Sequence, residues 1–307
     1  MAIDYTTTAL IDSVKRRIAI PTSQALYTNL DFCKLATDEL QSVLVPMMLA
    51  EQEDYFLHFD DQNIDGTTTD FNLPDRAIGR KIRDAGFYKS GSNEFVQRPR
   101  LEVEDYGDRA GNLVSSLSGY FFQGDQIIFN PAPTNVNDQL RIYYYRRPNN
   151  LVRETDCGKI TNINTSTKVV TLNNASTGWT TSTKFDCIKG SGGFRSIQDS
   201  FTVTNIAGFD LTFSTLPTGI AVGDWVCPEG QSPIAQIPYE GHHLLAQLTA
   251  IKVLEGLGDA KGMGMAQEKY EFLLKNFIKT LTDRVDGSPK KVVNRSGIFR
   301  SRRRVFW

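Results

Sequence analysis

The sequence lacks the long apolar runs of a membrane protein and the leader of an exported one. A helix that spans a bilayer needs about 18 or more consecutive apolar residues, and no run among the 307 residues approaches that length. The first residues, MAIDYTTTAL, contain no basic region followed by an apolar core, as a signal peptide would. We therefore expect a protein that is made in the cytoplasm and is not exported by a signal peptide.

Cysteine and histidine are also scarce, which argues against metal sites and disulfide frameworks. The chain has four cysteines and three histidines, and the cysteines are widely separated, with no C-x-x-C pair. They are Cys33, Cys157, Cys187 and Cys227. We predict free thiols that pack as small apolar side chains. His242 and His243 have no partner at metal-binding spacing, and we expect them in the first turn of a helix, either solvated or packed at a subunit contact.

No motif in the sequence indicates catalysis or a bound cofactor. Four glycines do not follow a strand and lack the spacing of a phosphate-binding loop, so we interpret them as a loop between two helices. They are Gly256, Gly258, Gly262 and Gly264. Five acidic residues could hold a cation, but they are more typical of a solvated corner between a helix and a strand. They are Glu51, Glu53, Asp54, Asp60 and Asp61. We predict no catalytic residue, no cofactor site and no metal site.

Charge is unevenly distributed, although the net charge is only −1. The segment from Lys290 to Trp307 contains seven basic residues and no acidic one, so the preceding residues together carry about −8. Arginines and aromatics are mixed at its end, a set that we call the docking tail. Its members are Arg295, Phe299, Arg300, Arg302, Arg303, Arg304, Val305, Phe306 and Trp307. Because burial of an aromatic side chain contributes about 1.5–3 kcal/mol, we predict that this tail docks onto another protein. A disordered basic tail and a tail that grips nucleic-acid phosphates are the alternatives.

Two N-terminal segments have helical periodicity. The first runs from Thr8 to Ile18, with an apolar face opposite the basic run of Lys15, Arg16 and Arg17, which we interpret as solvated rather than bound to DNA. The second begins at a capping box formed by Thr28 and Asp31. Pro46 should kink this helix, and the period changes to that of a strand from Tyr55.

The region after the second helix predicts antiparallel strands. Asp65-Gly66 and Gly124-Asp125 are turn signals that predict two hairpins, and Leu140 to Tyr145 predicts a further strand. The segment from Ala77 to Tyr88 fits either a short helix or an irregular strand. We expect these strands to form a small sheet that needs the helices to cover one face.

The segment from Thr155 to Ile237 is rich in threonine and serine. It contains fourteen threonines, eight serines and only eleven charged residues among 83, a composition that favours short strands. The predicted strands are Lys168 to Leu172, Lys184 to Ile188, Phe201 to Ile206, Leu211 to Phe213 and Trp225 to Val226. Regular spacing predicts a small β-barrel. Its five basic and six acidic residues do not form the basic face that nucleic-acid stacking needs.

The overall prediction is an α+β fold, in which N- and C-terminal helices form a bundle that carries a β-rich insertion. Two apolar stripes after Pro238 predict the C-terminal helices, which should pack against the N-terminal pair. The predicted regions are 1–54, the N-terminal helices; 55–152, an antiparallel β-rich region; 153–237, an inserted small β-barrel-like module; 238–286, the C-terminal helices; and 287–307, the basic aromatic tail.

Several segments resemble the head-to-tail connector, or adaptor, proteins of tailed bacteriophages. They are VKRRIAIPTS, LATDELQSVLVPMMLAEQEDY, LPDRAIGRKIRD, GYFFQGDQIIFNPAP and LRIYYYRRPNNLV. The resemblance covers residues 8 to 152 and, in architecture, the closing helices. It implies a structural virion protein that is assembled in the host cytoplasm as a ring of twelve copies beneath the portal protein. It also implies that genomic DNA passes through the ring, that tail or neck proteins attach below, and that the docking tail reaches up along the portal.

Two other function classes stay open at this point. A nucleic-acid-binding module would use the docking tail together with Lys15, Arg16 and Arg17. A glycan-binding or hydrolytic tail component would use the threonine-rich module, with Trp179 and Trp225 as its candidate sugar platforms. We expect one of these two tryptophans to lie in the core of that module.

Overall fold

The computed structural model describes residues 5–19, 26–89, 91–92, 94–101, 118–175, 178–191 and 196–281, and these form a mixed α+β fold. The helices are α1 (Thr7–Arg17), α2 (Asn29–Glu39), α3 (Val45–Glu51), α4 (Tyr239–Leu257) and α5 (Ala260–Leu281). The predicted α+β class is confirmed. Among the described helices, none combines the length and hydropathy that crossing a lipid bilayer requires.

The described part of the chain contains sixteen strands. They are β1 (Leu57–Asn63), β2 (Asp70–Asn72), β3 (Ala77–Lys89), β4 (Glu94–Gln97), β5 (Gly119–Gln123), β6 (Gln126–Asn130), β7 (Gln139–Arg146) and β8 (Asn150–Leu151). They continue with β9 (Gly158–Asn164), β10 (Val169–Leu172), β11 (Phe185–Ile188), β12 (Ser196–Phe201), β13 (Asn205–Ala207), β14 (Asp210–Thr212), β15 (Trp225–Pro228) and β16 (Gln231–Ser232).

The predicted capping box at the start of α2 is confirmed. The Thr28 N–H donates to Asp31 Oδ2 over 2.8 Å, and the Asp31 N–H donates to Thr28 Oγ1 over 3.2 Å. A π-helical segment, Leu40–Leu44, joins α2 to α3 immediately before Pro46. Because proline has no N–H, a regular turn cannot close there, and the wider π-turn accommodates it. After α3 a 3-10 turn precedes β1, so the strand begins at Leu57 and not at Tyr55 as predicted.

Helix α4 lies at the centre of the helical part and contacts α1, α2 and α5, as predicted for the C-terminal helices. These helices share one hydrophobic core. Its fully buried members include Phe32, Leu40, Leu44, Met48, Leu245 and Val253. The predicted glycine loop was too long: α4 ends at Gly258 with a left-handed backbone of φ 71°, whereas Gly262 and Gly264 lie inside α5. Asp259 starts α5 because its carboxylate accepts the Gly262 N–H over 2.9 Å.

Two antiparallel sheets, which we call the body sheets, follow the N-terminal helices. One has the strand order β1-β7-β3-β4 and the other β2-β6-β5. The hairpin at Gly124 is confirmed, since β5 pairs with β6 around it. Ala77 to Tyr88, left open between helix and strand, is the long strand β3 with two register shifts.

The predicted hairpin around Asp65-Gly66 was wrong. The turn itself forms, and the Asp65 carboxylate accepts the N–H groups of Thr67 and Thr68. However, β1 pairs with β7 over seven residues and β2 pairs with β6, so the chain crosses from one sheet to the other. Ile64 and Phe71 on either side of the turn are both buried between the sheets.

The body sheets pack against each other through one shared cluster. Tyr145, Leu57 and Ile78 of the β1-β7-β3-β4 sheet pack instead into the core of the helices, so the prediction that helices cover the sheet is confirmed in part. One buried cluster contains residues of both sheets. It includes Phe71, Tyr120, Ile127 and Phe129 of one sheet and Ala85, Leu140 and Ile142 of the other. Aromatic side chains fill most of this space: the Phe87 and Phe129 ring centroids are 5.1 Å apart across the two sheets. A second sheet therefore supplies the apolar cover that one sheet alone requires.

The threonine-rich segment forms a seven-stranded antiparallel sheet in the order β12-β11-β15-β9-β10-β14-β13, which we call the module sheet. Strands β10, β11, β14 and β15 lie close to predicted positions, whereas β9 was missed. The predicted strand from Phe201 to Ile206 was wrong, because β12 and β13 lie at opposite edges of the sheet and only three residues join them. Three residues span about 10 Å, so the sheet must curl into a half-barrel. Phe201 and Phe213 close its core, with ring centroids 5.1 Å apart.

The chain segment that forms the module sheet has its two ends side by side. Strand β8 lies just before the module sheet in the chain, and strand β16 lies just after it. The two strands form a parallel pair in which Asn150 lies opposite Gln231. Backbone hydrogen bonds extend this pairing, since the Val152 N–H donates to the Ser232 carbonyl over 3.1 Å. The two ends of the chain segment between these strands are therefore adjacent.

All four cysteines are free and buried, as predicted. Burial raises the pKa of the Cys33 thiol to about 11 and also raises the pKa of Cys187 and Cys227. A thiol of that pKa is about 0.1% ionised at pH 8, and only the thiolate reacts. We expect the folded protein to show essentially no thiol reaction with Ellman's reagent at pH 8, and the protein in guanidinium chloride to show four equivalents. Stoichiometric labelling of the folded protein would contradict the burial.

Candidate functional site

Buried charges join the body sheets to the module sheet. Arg76 lies just before β3 and Arg146 ends β7, whereas their partners Asp186, Asp199 and Glu229 belong to the module. Arg76 Nη2 lies 2.9 Å from Asp186 Oδ1, and Arg146 Nη2 lies 2.8 Å from Asp199 Oδ1. Arg76 also lies 3.2 Å from Asp199 and 3.6 Å from Glu229. We call these residues together with Asn149 the junction cluster.

Asp186 is the most buried acid of the junction cluster, with no exposed surface. Besides the bond from Arg76, its carboxylate accepts three hydrogen bonds. The donors are Asn149 Nδ2 at 2.8 Å, the Ser200 N–H at 3.0 Å and the Gly230 N–H at 2.9 Å. A carboxylate has about four acceptor positions, so these donors satisfy it. Because a buried charge is tolerated only when it is fully paired, the module is held in one orientation against the body.

The arginines and the histidine at the junction cluster have pKa values that are shifted by burial and by neighbouring charges. Burial lowers the pKa of Arg146, although the charge of Asp199 acts in the opposite direction. For Arg76, burial is outweighed by the hydrogen bond and charge of Asp186, which raise its pKa. Burial lowers the pKa of the nearby His58, 3.8 Å from Asp199, despite that carboxylate. The cluster therefore places two arginines of the body sheets against three carboxylates of the module sheet region.

One face of α5 presents large apolar side chains to solvent. Met265 is 62% exposed and Phe272 is 65% exposed, and their separation by seven residues puts them on the same side of the helix. Leu257, at the end of α4, is also exposed. We call Met265 and Phe272 the α5 outer face.

The predicted docking tail, from Arg295 to Trp307, lies outside the described residues. Of the basic run on α1, only Arg16 is fully exposed. Lys15 Nζ donates to Asn29 Oδ1 over 3.0 Å, and Arg17 Nη1 donates to Gln247 Oε1 over 2.6 Å. Arg17 thus joins α1 to α4, which corrects its prediction as a solvated residue.

The acidic residues at the helix-to-strand corner are largely paired with basic residues of the body sheets. Glu53 lies 3.4 Å from Lys81, Asp54 pairs with Arg83, and Asp61 forms two hydrogen bonds with Arg141. Among the described residues, no group of three or more histidine, cysteine, aspartate or glutamate side chains is placed to hold a metal ion. The corner is thus a surface with ion pairs.

The remaining candidates take distinct positions. His242 and His243 lie in the first turn of α4, as predicted; His242 is buried and His243 exposed. Trp225 is 3% exposed and belongs to a buried cluster, whereas Trp179 is half-buried against Phe185. The expectation that one tryptophan is core is therefore confirmed.

Sequence reasoning missed the junction cluster. Arg76 lies within LPDRAIGRKIRD and Arg146 within LRIYYYRRPNNLV, so arginines beside apolar strands were the available signal. The sequence gave no signal that identified their acidic partners, because Arg76 and Asp186 are 110 residues apart.

A family model described as SU10 adaptor protein matches residues 5–173, which is more than half of the chain. The chain belongs to the SU10 adaptor protein family. The match runs from α1 through the body sheets to the end of β10, and includes Arg76 and Arg146 but not Asp186 or Asp199. A comparison with curated proteins gave no match. Membership confirms the resemblance to phage adaptors and gives this SU10 adaptor family member a structural role in the virion.

Proposed function

We propose that this adaptor assembles into a ring of twelve copies beneath the portal, joins the capsid to the tail and lines the channel through which DNA passes. The observation that carries the proposal is the family match over residues 5–173. In this arrangement the portal protein lies above the ring, tail or neck proteins lie below it, and the neck of the virion is its location. The protein works by holding other proteins in place and not by chemistry.

In this proposal the helices form a bundle that supports the β regions. The division into N-terminal helices (1–54), a body (55–152), an inserted module (153–237) and C-terminal helices (238–286) is supported by separate hydrophobic clusters in the helices, the body sheets and the module sheet. The junction cluster gives the module a fixed orientation, which a part that positions neighbours requires.

The contact between copies in the ring uses the α5 outer face. Met265 and Phe272 are exposed in the single chain, and burial of such side chains contributes about 1.5–3 kcal/mol each. A closed ring repeats each contact in every copy, so modest contacts add up through multivalency. The charge of about −8 that precedes residue 290 suits a channel wall that does not retain DNA by attraction.

Negative-stain imaging of the purified adaptor mixed with the portal protein of the same phage tests the ring. We expect rings seated under the portal for the unmodified chain. The double variant Met265→Asp with Phe272→Asp should reduce the number of rings by roughly tenfold or more, because two central apolar contacts are replaced by charges.

The matched control is Phe209→Asp with Val222→Asp, which places the same charges on exposed apolar residues of the module. This control should form rings as the unmodified protein does. Persistent monomers of the unmodified chain in the presence of portal would contradict the proposed function, whereas rings in the α5 variant would contradict only the assigned contact.

A further inference from the structure

A cavity of about 210 Å³ lies between the N-terminal segment and α4. Its lining residues are Tyr5, Thr6, Ala9, Leu10, Ser13 and Arg16 on one side, and His242, His243 and Ala246 on the other. Small side chains at Ala9, Ser13 and Ala246 leave this space where α1 and α4 approach. The volume exceeds that of several water molecules, each of which occupies about 30 Å³ in the liquid, so it is large enough for one side chain.

His242, which lines the cavity, carries a buried polar atom for which the described part of the chain supplies no partner. The side chain belongs to a residue that is 7% exposed, and its ring lies 4.8 Å from the ring of Tyr5. Its Nε2 atom has no hydrogen-bond partner among the described residues. Native proteins pair nearly all such atoms, and an unpaired one points to a missing partner. Burial lowers the pKa of His242 to about 4, an effect that the neighbouring His243 increases, so the ring is neutral at pH 7 and can donate from Nε2.

The other polar groups of the cavity favour an anionic acceptor. Arg16 is exposed at the rim, and the structure gives it only a bond to the Asp12 carbonyl of its own helix. The hydroxyl group of Ser13 is a further possible donor, and His243 is exposed beside it. Among the described residues that line the cavity, none is a carboxylate. A negatively charged group would therefore meet a cation and donors without a repelling charge.

The apolar walls of the cavity favour an anion that has an apolar portion next to its charged group. Ala9, Leu10 and Ala246 are apolar, so the occupant should have an apolar stem before its charged end. A glutamate side chain has two methylene groups and a carboxylate, whereas a nucleic-acid phosphate is bonded directly to two sugars and has no such stem. We propose that the cavity receives a glutamate side chain of a partner protein, whose carboxylate faces His242 and Arg16.

This contact site goes beyond the proposed ring and does not depend on it, since it requires only the single chain. It is separate from the α5 outer face and from the junction cluster. A partner with a glutamate exposed on a helix or loop would insert that side chain as an anchor between α1 and α4.

NMR of the histidine rings tests the proposal in the full chain. With three histidines in the sequence, the ring signals can be assigned by His58→Gln and His243→Gln. The probe is sodium butyrate, which has the stem and carboxylate of a glutamate side chain, added at pH 7. We expect a saturable shift of the His242 signal and none at His58. Arg16→Gln should weaken butyrate binding by about two- to fivefold, because it removes an exposed ion pair, which contributes about 0–1 kcal/mol.

The matched control is Arg153→Gln, which makes the same change at an exposed arginine outside the cavity. It should bind butyrate like the unmodified chain. Absence of a His242 shift would overturn the proposal. Inorganic phosphate that shifts His242 as strongly as butyrate does would also overturn it, because the site would then select any anion and not a glutamate side chain.

Discussion

Replacement of Asp186 by alanine should destabilise the folded protein by about 3–5 kcal/mol, the range for breaking a buried ion pair by removing one partner. The substitution leaves Asn149 Nδ2 and the N–H groups of Ser200 and Gly230 without their acceptor. It also removes the partner of Arg76 at 2.9 Å. Each buried donor left unpaired costs about 1–3 kcal/mol, so the loss is shared among several groups.

Urea unfolding followed by circular dichroism measures this effect. Asp156→Ala is the matched control: Asp156 pairs with Arg153 over 2.8 Å, but both side chains are partly exposed, and exposed pairs contribute about 0–1 kcal/mol. Asp186→Asn should also destabilise strongly, since its amide would turn an N–H₂ group toward the surrounding donors. Equal stabilities of Asp186→Ala and Asp156→Ala would refute the role given to the junction cluster.

Removal of residues 288–307 should weaken binding to the portal protein by more than about a hundredfold, since two hot-spot side chains at about 2 kcal/mol each account for that factor. The removed segment contains seven basic residues and the aromatic end of the docking tail. Tryptophan and arginine are the residues that most often carry interface energy. Repetition of the tail around the ring would multiply the loss through multivalency.

Biolayer interferometry with immobilised portal protein measures the loss, with ring formation checked by imaging. In the matched control, the five docking-tail arginines, from Arg295 to Arg304, become lysine, which keeps the charge but removes the bidentate hydrogen bonds. This variant should bind portal more weakly than the full chain and better than the truncated one. If truncation leaves portal binding intact and abolishes salt-dependent DNA binding, the tail is a nucleic-acid contact instead.

Local signals in the sequence predicted local structure. The capping box of Thr28 and Asp31 placed the start of α2 correctly, because both residues act within one turn. The hairpin at Gly124 was predictable for the same reason, since its strands are adjacent in sequence. The helices of the C-terminal part followed from their apolar periodicity.

Pairing between distant strands could not be read in the same way. The segment after Phe201 has strand composition throughout, yet the chain crosses there from one edge of the module sheet to the other. No local sequence signal identifies β7 as the partner of β1. The junction cluster likewise depends on pairing between segments that are far apart in sequence. Arg146 of β7 contacts Asp199 of β12 across a separation of 53 residues, so its partner follows from the whole fold and not from local sequence.

The parallel pairing of β8 with β16 has an evolutionary consequence. Because Asn150 lies opposite Gln231, the two ends are about one strand spacing apart, roughly 4.8 Å, and a linker of a few residues could replace everything between them. Deletion of the segment between β8 and β16 would expose Arg76 and Arg146 to water, where charged groups are well tolerated. The same deletion would uncover Tyr5 and Ile234, which pack with Ile188 and Trp225 of the module, so a relative without this segment should carry polar residues at those two positions.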